Sequence, residues 1–325
     1  MKKILFSAAV LWVSAVWCVP VCADGNAVVY RLKWKFNTSV AGDIFADTAG
    51  YFERAGLTVD VKAGGIGIDA IRELELKRAH FGVASADQVI LALEKGARIM
   101  VIAQLFQANP LQWIYRADQP RISSLSDLKG RRIGVTFGGN DDAIMATLLA
   151  RGHLKRADVR IISVQGNAIP FFKKDADLWP VYRNSQGVSY ADKLAKEGEQ
   201  TLFFNPRDFG VSFVANSVIT TKEMIDTQPG LVTAFLSALL DAWGAAMADE
   251  NRDRVLAAVK KLDGGINDKI RQKQLTATRK LVQPDPGIRI GHIDVPGWEQ
   301  TESILLSEGQ IKKKVGIAGF LVQLN

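Results

Sequence analysis

The sequence predicts an α/β protein built of two lobes, and three observations carry that expectation. Short apolar runs rich in β-branched and aromatic residues alternate with longer amphipathic runs, the pattern of parallel strands joined by helical crossovers. The alternation breaks after Phe106 and starts again at Arg132. The chain has 325 residues, and single cores stop growing at roughly 250–300.

Taken in order, Lys2-Lys3, the apolar run from Ile4 to Val21 and the small-residue step at Ala23 read as a leader spanning residues 1–23, cleaved ahead of Asp24. Export to the periplasm is therefore expected. Val28 to Phe36 has strand composition, and Ile44, Phe45, Thr48 and Phe52 then share one helical stripe. A strand from Leu57 runs into glycines at Gly64-Gly65, followed by a helix from Ile68 to Ala79. His80–Ser85, Ala86–Gly96 and Arg98–Phe106 continue as strand, helix and strand. The second unit begins with the strand Arg132–Phe137 and the helix Asp141–Gly152. Strands at Val159–Val164, Asp175–Tyr182 and Thr201–Pro206 complete it. Arg207–Thr220 is β-rich. Beyond it Leu231, Phe235, Leu239, Trp243 and Met247 mark the buried face of a long helix. The Pro- and Gly-rich stretch from Gln283 to Gly297 receives no element.

Composition removes several function classes. Both cysteines, Cys18 and Cys22, fall in the leader, so the mature chain is expected to have neither disulfide nor thiol nucleophile. The net charge of +7 is scattered without aromatic interleaving, and no nucleic-acid partner is expected. His80, His153 and His292 lack metal-ligand spacing, Gly64, Gly65 and Gly67 do not form G-x-G-x-x-G, and no nucleophile elbow or P-loop occurs. No catalytic residue, metal or cofactor is expected.

Open parallel sheets bind ligands beyond the carboxyl ends of their strands. Four turns offer that geometry: Asn37 to Asp43, Gly64 to Asp69, Ser85 to Asp87 and Gly138 to Asp142. Their acids suit helix capping, and Gly65 suits close approach of a ligand to backbone. Trp34, Trp179 and Tyr182 are either core residues or the two walls of an aromatic sandwich.

The stretch "WKFNTSVAGDIFADTAGYFERAGLTV" resembles the W-x-x-N, A-G-x-x-x-A and G-Y-F-x-x-x-G-L-x-V pattern of the NMT1/THI5-like periplasmic binding proteins, the group around the thiamine-pyrimidine, riboflavin and sulfonate binders. "KRAHFGVASADQVILALEKGARIMVIAQLFQANP", "SLSDLKGRRIGV" and "DADLWPVYRN" resemble later motifs of that family in the same order. The resemblance implies a type II periplasmic-binding fold, two α/β lobes with a hinge crossed twice. It also implies a monomer that holds a small-molecule solute in the cleft and delivers it to an ABC permease at the inner membrane. The lobes are expected at residues 24–115 with 214–325, and at 116–213, with crossings at Leu111–Ala117 and Asp208–Ser217. Asn37-Thr38-Ser39-Val40 departs from the N-T-N-H of the pyrimidine synthases. Ser185 and Gln186 stand where pyrimidine binders carry N-E-P.

On this reading Asn37, Ser85, Gln104, Thr136 and Asn140 supply neutral hydrogen bonds, Asp177 supplies a carboxylate, and the aromatic trio walls the ligand. With no basic residue in the four turns, a planar heterocycle ranks above an organic anion such as an alkanesulfonate. An enzyme acting on a heterocycle is the reading from another class, with Asp177 its one candidate base.

Overall fold

The structure, a computed structural model, describes residues 27–324; the expected leader, residues 1–23, lies outside them. The first lobe opens with β1 (Ala27–Arg31), α1 (Ala41–Thr48), α2 (Tyr51–Arg54), β2 (Thr58–Lys62), α3 (Ala70–Glu75), β3 (Phe81–Ala84), α4 (Ala86–Glu94) and β4 (Ile99–Gln104). The second comprises β5 (Leu111–Arg116), β6 (Arg132–Val135), α5 (Asn140–Arg151), β7 (Arg160–Ser163), α6 (Ile169–Phe172), β8 (Trp179–Tyr182), α7 (Gln186–Lys196) and β9 (Thr201–Phe204). The chain then returns through β10 (Ser217–Thr221), α8 (Lys222–Thr227), α9 (Pro229–Met247), α10 (Arg252–Leu262), α11 (Asp268–Val282) and α12 (Val295–Ser307).

The sheet of lobe 1 has the order β2-β1-β3-β10-β4, with β10 antiparallel to both neighbours. In lobe 2, β5 pairs antiparallel with β8 and β9, and β6 pairs parallel with β7. A parallel bridge between Ile133 and Leu178 joins the two parts, with Gly134 N–H donating to Leu178 O at 2.8 Å. The second order is thus β7-β6-β8-β5-β9, the first repeated, with one reversed strand inside each sheet. This is the type II periplasmic-binding architecture.

The first boundary needs correction. Leu111–Arg116, expected as a hinge crossing ending lobe 1 at residue 115, is a fully buried strand at the centre of the second sheet. Gln112 and Arg116 disguise it, because a polar residue rarely enters a central strand. Arg116 is accommodated by donating to Phe171 O at 2.9 Å and by pairing with Glu199. The first crossing therefore lies in residues 105–110.

Three other expectations change. The single helix after Asn37 is two, split where Gly50 adopts φ +72° between α1 and α2. β1 ends at Arg31 instead of Phe36. The segment from Gln283 to Gly297, given no element, leads into α12, begun by Asp294 accepting from Gly297 N–H at 3.1 Å with Pro296 in the first turn.

Two helices fix the core of lobe 1. Phe235 of α9 stacks on Phe81 of β3 at 3.8 Å between centroids and on Phe52 of α2 at 5.4 Å, while Tyr30 of β1 meets it edge-on at 5.1 Å. Two turns further along α9, Trp243 lies flat on Gly42 of α1 and donates Nε1–H to Asp43 at 3.2 Å. Asp43 does not cap its helix; it is buried in this core and also accepts from Tyr30 Oη at 2.7 Å. α9 is long and apolar enough to cross a membrane, and here its buried face is spent on this packing.

Candidate functional site

Residues 32–36 leave β1 without strand pairing, and Gly64 determines their path. Its N–H donates to Trp34 O at 3.0 Å, and a Cβ at Gly64 would sit 2.2 Å from Leu32 O. A Gly64→Ala variant is therefore expected to lose roughly 2–3 kcal/mol and to displace residues 32–34, readable as a lower denaturation midpoint with a changed near-ultraviolet spectrum.

The path aims Lys33 into the cleft. Its ammonium donates to Ser85 Oγ of lobe 1 at 2.9 Å and to Tyr182 Oη of lobe 2 at 3.0 Å, and it lies 5.8 Å from the centre of the Tyr182 ring. It makes no ion pair within 4.0 Å among the described residues. Two buried acids stand farther off. Asp87, in the first turn of α4, is wholly inaccessible, and neither of its oxygens meets a donor in hydrogen-bonding geometry. Asp141, in the first turn of α5, accepts from Thr136 N–H at 2.6 Å. Burial raises the Asp141 carboxyl to about 6, against the pull of that N–H and of the Lys33 charge. Burial raises Asp87 as well, opposed by the Lys33 charge, by the Ser85 hydroxyl and by the N–H groups of Asp87 and Gln88.

The structure brings part of the expected set together. Ser85 and Tyr182 meet at Lys33, whereas Thr136 donates its N–H to Asp141, which stands farther off. Asn140, buried at the start of α5, has an amide nitrogen without a partner. Gly65 lies on the loop beside Gly64, where a Cβ would meet nothing, and Trp34 is half-buried on the segment beside it. Asn37 caps the short turn Thr38–Val40, its Oδ1 accepting from Ser39 N–H at 2.7 Å.

Three candidates fall elsewhere. Trp179 is core, its ring where a Cβ on Gly134 would lie, 2.6 Å away. Asp177 is bound by Arg132 at the opposite end of β6, with Nη2 donating at 2.6 Å and the Arg132 N–H at 2.8 Å. Burial would raise that carboxyl, but these bonds hold it below the ordinary range. Gln104 is closed over by the C-terminal segment: its Oε1 accepts from Asp294 N–H and Trp298 Nε1–H, both at 3.1 Å, and its Nε2 donates to Phe106 O at 3.2 Å.

Lys33 precedes the four turns, which hold no basic residue, and it brings a cation to the cleft from outside them. Strand parity carries the signal: Arg31 and Lys33 lie on the face opposite the buried Tyr30 and Leu32.

A second interlobe contact lies on α11. Gln274 accepts from Thr38 Oγ1 at 2.9 Å and donates to Ser185 O at 3.0 Å and Ser189 Oγ at 3.1 Å, while Asn184 Nδ2 donates to Thr278 Oγ1 at 2.9 Å. Gln274→Ala leaves buried groups unpaired on both lobes. It is expected to destabilise by about 2 kcal/mol and to enlarge the radius of gyration in small-angle scattering. An unchanged radius would show that this clasp does not hold the lobes together.

Between α4 and α5 a groove of about 610 Å³ is lined by Asp87, Gln88, Gly138, Gly139 and Asp142 among others, a size suited to a small ligand. Among the described residues no group of three or more His, Cys, Asp or Glu gathers for a metal.

Known proteins match this arrangement. The profile of the family described as NMT1/THI5 like matches residues 37–252. A Haemophilus influenzae protein named for thiamine biosynthesis is 22% identical over 296 residues, covering 90% of each chain. A formylaminopyrimidine-binding protein of Halalkalibacterium halodurans is 22% identical over 296 residues, 89% of this chain and 88% of its own. In structure, the periplasmic aliphatic sulphonate binding protein of Escherichia coli superposes with a TM-score of 0.69 at 16% identity, covering 92% of this chain and 94% of the other.

Proposed function

Because the chain belongs to the NMT1/THI5-like family, we propose that it is the periplasmic solute-binding component of an ABC-type importer, closing its two lobes on a small molecule and handing it to a membrane permease. The observation that carries this reading is the cleft at Lys33. Side chains from both lobes meet there, and the buried amide nitrogen of Asn140 lacks a partner. A group of that kind is expensive to bury unpaired, and a solute that satisfies it gains affinity in the closed form alone.

The solute is read as a planar nitrogen heterocycle of the thiamine-pyrimidine type. Support comes from the formylaminopyrimidine-binding relative and from a cleft rich in neutral donors and acceptors beside Tyr182. The solute touches Lys33, Ser85, Thr136, Asn140 and Tyr182, with Trp34 and Gly65 at the edge. An alkanesulfonate is the second reading. Lys33 favours it by supplying a cation, and the two buried acids near that cation count against it.

Thermal-shift screening of the mature chain against heterocycles, sulfonates, amino acids and flavins tests the proposal. A hit should compact the protein in small-angle scattering and be recovered chemically unaltered. Absence of any hit that compacts the chain would refute solute capture, and conversion of the hit would establish the enzyme reading.

A further inference from the structure

Resting on the cleft as the solute site, we propose that the turn Gly65–Ile68 of lobe 1 is a lid, which shuts the mouth of the cleft by seating Ile66 against Gly166 of lobe 2.

The contact joins matching edges. β2 and β7 are the corresponding edge strands of the two sheets, and the loops at their carboxyl ends meet across the lobes. A Cβ on Gly166 would lie 3.7 Å from Ile66 Cδ1, so the isoleucine tip rests on the Gly166 backbone. Ile66 is still 47% exposed, and Ile68, Phe137 and Ile169 are exposed large apolar side chains on the same three loops, those after β2, β6 and β7. Apolar side chains gathered on loops at a seam mark a surface that closes on something, and lobe 2 is already within reach of Ile66. Residues 63–68 and 164–169 contain no ionisable side chain, so this seal is apolar and insensitive to salt.

The turn is stiff and tied to the polar contact. Ile68 N–H donates to Gly65 O at 3.1 Å, and Gly67 takes φ +76°, the left-handed value that a tight turn of this kind needs at its third position. Gly64 N–H holds Trp34 O, and Arg31 Nη1 donates to Ala63 O at 2.7 Å. The turn therefore rides on the segment that aims Lys33 at Tyr182. Ile66 and Lys33 reach lobe 2 from one piece of lobe 1, the first through an apolar contact and the second through a hydrogen bond. Separating the lobes breaks both together, which is how a lid couples the mouth of a site to its floor.

The sequence has no cysteine beyond Cys22, which makes cross-linking a direct test. Ile66→Cys with Gly166→Cys in the mature chain should form a disulfide under mild oxidation, at the same rate in low and high salt. Should Gly166→Cys fail to fold because of its φ of +78°, Ile66→Cys with Asn167→Cys takes its place. Every compound of the heterocycle, sulfonate, amino-acid and flavin panel that shifts the Tm of the reduced protein should fail to shift the oxidised one, and reductant should restore the shift. No disulfide in the folded chain, a rate of formation that falls with salt, or an oxidised chain that binds as the reduced one does overturns the lid. A panel without any hit counts against solute capture instead, and formation of the disulfide then decides the contact alone.

Discussion

Trp243→Ala is expected to lower stability by roughly 4–5 kcal/mol, a fall of about 10 °C in Tm for a protein of this size. The indole is fully buried, meets Phe106 edge-on at 6.3 Å and supplies one of two side-chain hydrogen bonds to Asp43. Its removal leaves a cavity between α1 and α9 together with a less satisfied buried acid. The same contact explains Gly42: a Cβ there would lie 2.0 Å from the Trp243 ring. Gly42→Ala should therefore destabilise the wild type by about 2–3 kcal/mol and do little in the Trp243→Ala background. Additive effects in denaturant titrations of the four proteins would refute the contact.

Raising the pH from 4 to 7 is expected to remove roughly 4 kcal/mol of stability through Asp43 alone. Burial raises its carboxyl to about 7, against hydrogen bonds from Tyr30 and Trp243. The unfolded chain releases this proton near the ordinary value of 3.8, the folded one only near 7. Between those values the native state binds more protons, so stability falls as pH rises and levels off above 7. Paired surface carboxylates give the opposite slope. Asp141, raised to about 6, adds a contribution of the same sign. The clean measurement is thus the difference between wild type and Asp43→Asn in urea titrations at pH 4 and pH 8. The variant should gain on the wild type by about that amount across the interval, and a pH-independent difference would show that Asp43 is ionised throughout.

Periodicity made the strand-helix order of both lobes readable, because each crossover helix buries one stripe and each strand of the parallel units is short and apolar. It failed where polar residues are buried by specific partners. Gln112 and Arg116 hide β5, and the charged surfaces of α10 and α11 narrow their apolar stripes below recognition. In the site, chain direction separates the candidates on and beside β8. Asp177 precedes β8 and Tyr182 ends it, so only Tyr182 can reach the carboxyl edge of a sheet in which β8 runs parallel to β6. Gln104 was beyond reach, since its partners Asp294 and Trp298 belong to a helix that the Pro- and Gly-rich segment concealed.

The reversed strand inside each sheet imposes an order of assembly. Every strand of lobe 2 lies within residues 111–204, so that sheet can close as soon as its own segment is present. In lobe 1, β3 and β4 do not touch; β10 stands between them, and its pairing with β4 joins positions more than a hundred residues apart. Closing so long a loop is slow, and β4 stays unpaired until it happens. Pulsed hydrogen exchange during refolding should protect Leu111–Arg116 before Ile99–Gln104. Half of the cleft is therefore the last part of the molecule to be built, and a chain stalled before residue 217 would own Tyr182 and Asp141 without a finished partner to close on.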